Sequence, residues 1–406
     1  MKHEITKAFI SYYDEYKRDL PWRKTNDAYK IWISEIMLQQ TRVEAVKGYY
    51  ERFINTLPTL ESLANVDDDT LMKLWQGLGY YSRAKNLKKC AEVCMREHNG
   101  ALPKEYEELV KLPGIGKYTA GAITSIAYKQ RKSAVDGNVM RVFARLFDIH
   151  DDILKEKTKE QFISLVDEYV DDVEPGNFNQ AIMDFANDIC ITNGTPACGR
   201  CPLQHLCLAY QRDTVMQLPN REKKLSKKEE PHTVIILRCQ DEVYLRKRPA
   251  TGLLANLYEF INIPSKQKVE DIQKIFTGII SIRSIGELKN VFSHLVWHID
   301  AYEVYVDSKP NLEGIWVSEK EMLDSFSLPT VMDKVWQLYN NDFISSICSL
   351  AHYSDIIGCF SRLYMTDYQS ASFPRPILMR IFQVVNNFIG NIIYFKNDIT
   401  SHLFLQ

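Results

Sequence analysis

The hydrophobic pattern of this chain changes once, and the change divides it. Residues 1 to about 217 read as nearly continuous amphipathic helices, broken at Leu57-Pro58, Gly77 and Gly79, Leu102-Pro103 and Pro113-Gly114. The stretch from Asn220 to Pro231 then carries charge without an apolar face, which predicts a solvated linker. From His232 the helical repeat gives way to alternation. His232 to Arg246 carries β-branched runs around a polar Gln240-Asp241 turn, and Asp300 to Val306 sets Tyr302, Val304 and Val306 on one face. The expected organisation is an all-α domain over 1–217, a linker over 218–231, an α+β domain over 232–339 and an extension over 340–406. The longest apolar stretch of that extension, Ile381 to Phe395, is interrupted by Asn386, Asn387 and Asn391, so it is too polar to span a bilayer.

Length supports this division, because 406 residues of which 45% are apolar can bury two cores. A net charge of -2 excludes a globally basic DNA coater, so a nucleic-acid site must be a local concentration of Lys and Arg. The first twenty residues mix charges with apolar residues and lack the apolar run of a signal peptide, which predicts a reduced, cytoplasmic setting. Nine cysteines, an odd number, do not suit a disulfide framework.

Four of those cysteines crowd together, as Cys190-x7-Cys198-x2-Cys201-x5-Cys207, directly after an apolar-periodic helix through Phe178, Ile182, Phe185 and Ile189. Four thiolates on one short loop can surround one metal centre. Zinc and a 4Fe-4S cluster both take four Cys, and ligand count does not separate them.

Three further segments carry chemistry. In Leu112-Pro-Gly-Ile-Gly-Lys-Tyr-Thr-Ala-Gly-Ala-Ile123, Pro113 and Gly114 stop one helix and another opens. Gly114 and Gly116 let backbone approach a ligand while amides of the next helix point outward, as at a phosphate site. The plainer alternative is a tight turn between packed helices. Glu35 lies four residues after Ile31, three after Trp32 and three before Leu38, so a helix places it among apolar neighbours. Burial there would raise its pKa toward that of a general acid; the alternative is a Glu that reaches solvent or pairs with Arg42. Asp136 precedes a helix with apolar Val139, Val142, Phe143 and Leu146, where it can cap the helix, stabilise a developing cation, or both.

Together these segments resemble the helix-hairpin-helix glycosylase superfamily and, within it, the MutY-type adenine DNA glycosylases. The resemblance covers roughly residues 1 to 340. It rests on Leu20 to Arg23, Trp32 to Thr41, Trp75 to Arg83, the hairpin, Val135 to Arg141, Phe178 to Asp184 and the cysteine cluster. It implies a multidomain chain: an all-α helix-hairpin-helix domain with a 4Fe-4S loop, then an α+β Nudix-like domain. Glu35 matches the acid that protonates adenine N7 and Asp136 the carboxylate that stabilises an oxocarbenium-like sugar, with Tyr118 and Asn138 beside them. Arg18, Trp22, Arg23, Leu38, Tyr118 and Gln180 would line the adenine pocket. Gln40, Thr41, Leu78 and Tyr80 match side chains that wedge into the duplex, and Gly114, Gly116 and Lys117 would hold its backbone. Cys190, Cys198, Cys201 and Cys207 would ligate the cluster, although the first interval encloses seven residues where the family has six.

In the related endonuclease III type a Lys follows the basic residue after the second hairpin Gly, whereas here Tyr118 follows Lys117, which implies base excision without amine-driven strand cleavage. The segment Arg248 to Phe260 resembles the Nudix-like reader of the family, with Tyr258 where Trp is commoner. No Arg-Glu...Glu-Glu helix follows, so nucleoside-diphosphate hydrolysis is not expected. Phe292, Ser293 and His294 match the loop that reads the lesion. The implied substrate is double-stranded DNA with adenine opposite 8-oxoguanine or guanine, met by a monomer in a bacterial cytoplasm, at the nucleoid, with no membrane partner. Two rival readings are an endonuclease III-type enzyme acting on pyrimidine lesions and a noncatalytic iron-sulfur DNA-binding protein. Tyr118 and the second domain oppose the first, and the pair Glu35 and Asp136 opposes the second.

Overall fold

The computed structural model describes residues 1–222 and 226–350. The chain divides into two compact units at Ser226/Lys227. The first is built of α1 (Lys2–Tyr16), α2 (Ala28–Leu38), α3 (Val43–Thr56), α4 (Leu60–Asn65), α5 (Asp68–Trp75), α6 (Ser82–Glu97), α7 (Tyr106–Leu109), α8 (Lys117–Ile126), α9 (Gly137–Phe147), α10 (Glu156–Tyr169), α11 (Pro175–Asp188) and α12 (Leu208–Gln211). Part of its core is an aromatic cluster in which Phe9 of α1 meets Phe143 of α9 and Phe178 and Phe185 of α11. This contact brings the N-terminal helix against the helices that precede the cysteine loop.

The second unit is a mixed seven-stranded sheet of β1 (Lys228–Cys239), β2 (Glu242–Lys247), β3 (Tyr258–Glu259), β4 (Ile261–Ile263), β5 (Ile279–Val291), β6 (Leu295–Val306) and β7 (Ile315–Ser318). Strands run in the order β3-β2-β1-β6-β5, with β4 also on β1 and β7 on β2. The long β1 and β6 are parallel, and the other pairs are antiparallel. Val234 and Ile236 of β1 face a core with α14 (Glu319–Ser325) and α15 (Thr330–Leu350); Ile235 and Leu237 face a smaller one with the single turn α13 (Val269–Ile272). A strand covered on both faces needs apolar residues at successive positions, which is why His232 to Cys239 reads as a run.

Two expected boundaries are corrected. The linker over 218–231 ends early, because β1 begins at Lys228 and its first residues pair in parallel with Leu295 to His298. Ladder bonds use backbone, so a charged sequence can join a sheet when its side chains stay exposed and find partners; here Glu229 meets His298 and Lys289. Residues 223–225 of that linker lie outside the described residues. The boundary at 339/340 falls inside α15, whose Tyr339 is fully buried. No Gly or Pro occurs between Met332 and Leu350 to end the helix there. The remainder of the expected extension, 351–406, lies outside the described residues. Among those described, no helix is long and apolar enough to cross a membrane.

Candidate active site

Helix α2 opens where the Asp27 carboxylate accepts the Tyr29 amide at 2.9 Å, and it is apolar on every face through Ile31, Trp32, Ile33, Ile36 and Met37. Such a helix can only be interior. It carries Glu35 into that interior at 8% exposure, so the carboxyl neither reaches solvent nor pairs with Arg42. Instead the Tyr118 hydroxyl of α8 donates to Glu35 Oε2 at 2.7 Å. Burial pushes the Glu35 carboxyl up to about 7 and the nearby Asp136 charge pushes the same way, against the opposing pull of the Tyr118 hydroxyl and Arg23. A carboxyl poised there exchanges its proton near neutral pH.

Tyr118 is delivered by the hairpin. Helix α7 ends at Leu109, earlier than the sequence predicts, and Gly114 turns the chain at φ +77° tight against Asn86 of α6. Gly116 caps α8, whose second residue is Tyr118. Gly121 then lets the Ser133 carbonyl lie against the helix backbone, a place where a Cβ would collide. Lys117 is exposed and ion-paired with Glu160 of α10.

Asp136 does cap α9. Its Oδ1 accepts the amides of Asn138 and Val139 at 2.8 and 2.9 Å, and its Oδ2 accepts Asn138 Nδ2 at 2.8 Å. Burial raises the carboxyl above its ordinary range, while these donors and Arg141 favour the ionised form. The cap therefore holds a desolvated carboxylate whose charge the protein only partly balances, near Glu35. From Asn138 the bonding continues: Arg141 Nη1 donates to Asn138 Oδ1 at 3.0 Å, and Nε donates to the Cys190 carbonyl at 2.9 Å.

Cys190, Cys198, Cys201 and Cys207 are free thiols lining one small cavity with Arg145, Ile189 and Tyr210. The long first interval closes on itself. Gly194 turns at φ +86° and the Ala197 amide donates to the Ile189 carbonyl at 2.9 Å, so Cys198 still reaches the cavity. Among the described residues no three His, Cys, Asp or Glu form a group that could hold a single metal ion. The four thiols share this one cavity as part of its lining. Arg145 fixes this loop, donating Nη1 to the Ile191 carbonyl at 2.9 Å and to Cys190 Sγ at 3.3 Å.

The residues expected in the adenine pocket fall in two groups. Arg18 and Arg23 both grip Asp184 of α11, Arg18 through Nε at 2.6 Å and Arg23 through Nη1 and Nη2 at 2.6 and 3.0 Å. Asp184 itself is buried, one turn from Gln180 on the same helix; Gln180 donates to the Gly176 carbonyl at 3.3 Å. Trp22 is buried against Tyr50, and Leu38 closes α2 half-buried. Sequence reasoning gave Asp184 no role of its own. The available signal was its position four residues after Gln180, which puts both on one helical face.

The expected wedge residues lie on two loops. Gln40 and Tyr80 sit in the left-handed region at φ +60° and +47°, with Tyr80 49% exposed and Leu78 buried. Arg83 joins these loops: Nη1 donates to the carbonyls of Ile36, Met37 and Gln39, and Nη2 to those of Leu78 and Gly79, all within 3.1 Å. Arg83 is a second residue that sequence reasoning left without a role.

In the second unit, Phe292, Ser293 and His294 form the turn between β5 and β6. Ser293 and His294 are exposed and 3.2 Å apart, while Phe292 packs on Trp297, which stacks on His232. Lys227 Nζ donates to the Phe292 carbonyl at 2.6 Å and the Lys228 amide to the His294 carbonyl at 3.3 Å. Elsewhere in the unit the buried Glu259 is held by Arg246 and Arg248.

Comparison with known proteins places this geometry. Residues 33–168 match the HhH-GPD superfamily of base excision DNA repair proteins, and residues 232–338 match the NUDIX domain. The adenine DNA glycosylase of Mus musculus is 33% identical over 399 aligned positions, covering 82% of this chain and 77% of the mouse protein. The chain belongs to the adenine DNA glycosylase family. Schizosaccharomyces pombe has an adenine DNA glycosylase 33% identical over 78% of this chain and 85% of its own length. That of Buchnera aphidicola subsp. Baizongia pistaciae is 33% identical over 81% of this chain and 95% of itself. In this adenine DNA glycosylase relative the helical unit carries Glu35, Tyr118 and Asp136 within one buried neighbourhood.

Proposed function

We propose that this chain removes adenine from duplex DNA in which adenine stands opposite 8-oxoguanine or guanine, by hydrolysing the N-glycosidic bond. The observation that carries the reading is the buried Glu35, hydrogen-bonded to Tyr118 and near the capped Asp136. A stacked base is out of reach, so the adenine is flipped at a cost of a few kcal/mol, less for a mispair. Loops 39–41 and 78–80 supply wedges and the hairpin backbone holds phosphate. Protonated Glu35 donates to adenine N7, which makes the base a leaving group. As the C–N bond breaks, Asp136 stabilises the positive charge on the sugar, and water adds at C1′ to complete hydrolysis. Tyr118 occupies the place from which an amine would attack, so the product is an abasic site with an intact strand. Incubation with a duplex carrying one adenine opposite 8-oxoguanine should give a strand break only after alkali. A break without alkali would identify a lyase, and no break in either case would overturn the reading.

The cysteine cavity fits a 4Fe-4S cluster held by Cys190, Cys198, Cys201 and Cys207, since the donors are thiols that line one cavity. The cluster would supply the loop with a rigid anchor next to Arg141 and Arg145. Protein prepared without oxygen should contain about four irons per chain and be yellow-brown. Zinc in place of iron would refute the assignment.

In the second unit the turn Phe292 to His294 is assigned to the lesion, its exposed Ser293 and His294 supplying hydrogen bonds and Phe292 the packing. Ser293→Ala with His294→Ala should cut the preference for adenine opposite 8-oxoguanine over adenine opposite guanine by about 1 to 3 kcal/mol. The two duplexes are compared at one salt concentration, because phosphate contacts otherwise dominate affinity. An unchanged ratio would reject the assignment.

A further inference from the structure

Asp184 of α11 is 3% exposed and accepts from four donors of one short segment. Its Oδ1 takes Arg18 Nε at 2.6 Å and Arg23 Nη2 at 3.0 Å, and its Oδ2 takes Arg23 Nη1 at 2.6 Å and the Arg18 amide at 3.5 Å. Both oxygens are thereby committed, and two arginines hang by charge-assisted bonds on one buried carboxylate. Arg23 is fixed further by Nη1 on the Arg18 carbonyl at 3.3 Å and by the Tyr13 ring, 5.4 Å from its guanidinium. Arg18 keeps Nη1 and Nη2 without a partner among the described residues, on a side chain that is 38% exposed.

Docking of α11 does not depend on this carboxylate. Phe178 and Phe185 of the same helix already pack on Phe9 of α1, and the Tyr12 hydroxyl donates to Asp188 at 2.9 Å. A buried ion pair is also weak support for stability, since desolvation cancels much of its attraction. The surroundings of Arg23 give a better account. Its charge acts on Glu35, favouring the ionised carboxylate together with the Tyr118 hydroxyl of α8, while burial and Asp136 of α9 favour the protonated acid. An acid that must arrive with its proton is served by an Arg23 balanced elsewhere. Asp184 supplies the balance, and its two oxygens engage the planar fork of Arg23 in a fixed direction.

We propose that Asp184 is a positioning residue of the adenine pocket: it sets Arg18 and Arg23 in place before a base arrives and holds the charge of Arg23 away from Glu35. The inference rests on the adenine-excision reading above. Asp184 touches neither base nor sugar in this role and acts through the two arginines. Gln180, one turn earlier on α11, belongs to the same expected pocket, so one helix carries both a pocket residue and the counter-charge for two others.

The test is the pH profile of single-turnover excision on a duplex with adenine opposite 8-oxoguanine. Asp184→Asn removes the charge and leaves Arg23 unbalanced, so Glu35 gives up its proton more readily. The high-pH limb should move down by about half a unit to one unit, which is about threefold to tenfold less excision on that limb. Asp184→Glu retains the charge and should keep the limb where the wild type has it, whatever its overall rate. A role confined to packing would lower rate or melting temperature and leave the limb in place. An unmoved limb in Asp184→Asn, or an equal shift in Asp184→Glu, would therefore overturn the proposal. Should Asp184→Asn not fold, wild-type protein labelled with ¹⁵N-arginine decides. The Arg23 Nη–H signals should be resolved in the free protein and retained on adding the duplex. Signals that become resolved only with the duplex would show that DNA, and not Asp184, orders Arg23, and would overturn the proposal as well. Failure of the adenine-excision reading is seen separately, as absence of alkali-labile product from wild-type protein.

Discussion

Glu35→Gln should bind the mispaired duplex within about threefold of wild type and excise adenine at least about a thousandfold more slowly, because the amide keeps the shape and cannot donate the acid proton. Single-turnover product formation within tenfold of wild type would remove Glu35 from the acid role. The same substitution carries a signature in stability. Burial pushes the folded Glu35 carboxyl up to about 7, above the ordinary 4.5 of a glutamate, so the folded state holds a proton that the unfolded chain releases earlier. Stability attached to that proton is full below about 4.5 and is lost as pH rises through 7. The loss is on the order of 3 kcal/mol, and the neutral amide does not suffer it. Glu35→Gln should therefore melt several degrees above wild type at pH 8 and gain little or nothing at pH 5, while wild-type excision declines above pH 7. A melting difference independent of pH would show that Glu35 is not the buried acid described.

Asp136→Asn should slow the chemical step about a hundredfold to a thousandfold. Asn is as good an N-cap as Asp, so Oδ1 still accepts the Asn138 and Val139 amides, while the bond that Asp136 Oδ2 accepts from Asn138 Nδ2 is lost and melting should fall by about 1 to 2 kcal/mol at most. What the variant lacks besides is the negative charge beside the sugar. The paired measurement therefore separates the two functions of one side chain: loss of excision with melting retained assigns the charge to catalysis, and loss of melting alone assigns Asp136 to capping.

Helices were legible because their cause is local. The apolar spacing of α2 and the Pro-Gly stop before α8 lie within a dozen residues, and the face on which Glu35 falls follows from spacing alone. What surrounds that face did not follow. The Tyr118 hydroxyl comes from 83 residues away, and Asp184 meets Arg18 and Arg23 across 166 and 161. Pairings of that range leave no periodic trace. Arg83 was illegible for another reason: its partners are carbonyls, which every sequence contains. The start of β1 was missed because Lys228 to Pro231 carry the composition of a linker, and the information that they form a strand resides in Leu295 to His298 of the neighbouring β6. In the second unit, position 258 to 263 breaks into two short strands that alternation could not delimit.

The early start of β1 has a mechanical side. The first residues of the second unit are bonded at once to the turn at the head of β6, through Lys227 Nζ on the Phe292 carbonyl and the Lys228 amide on the His294 carbonyl. Whatever displaces Lys227 and Lys228 is therefore felt first at the Phe292 to His294 turn, while the parallel ladder between β1 and β6 holds the strands behind it.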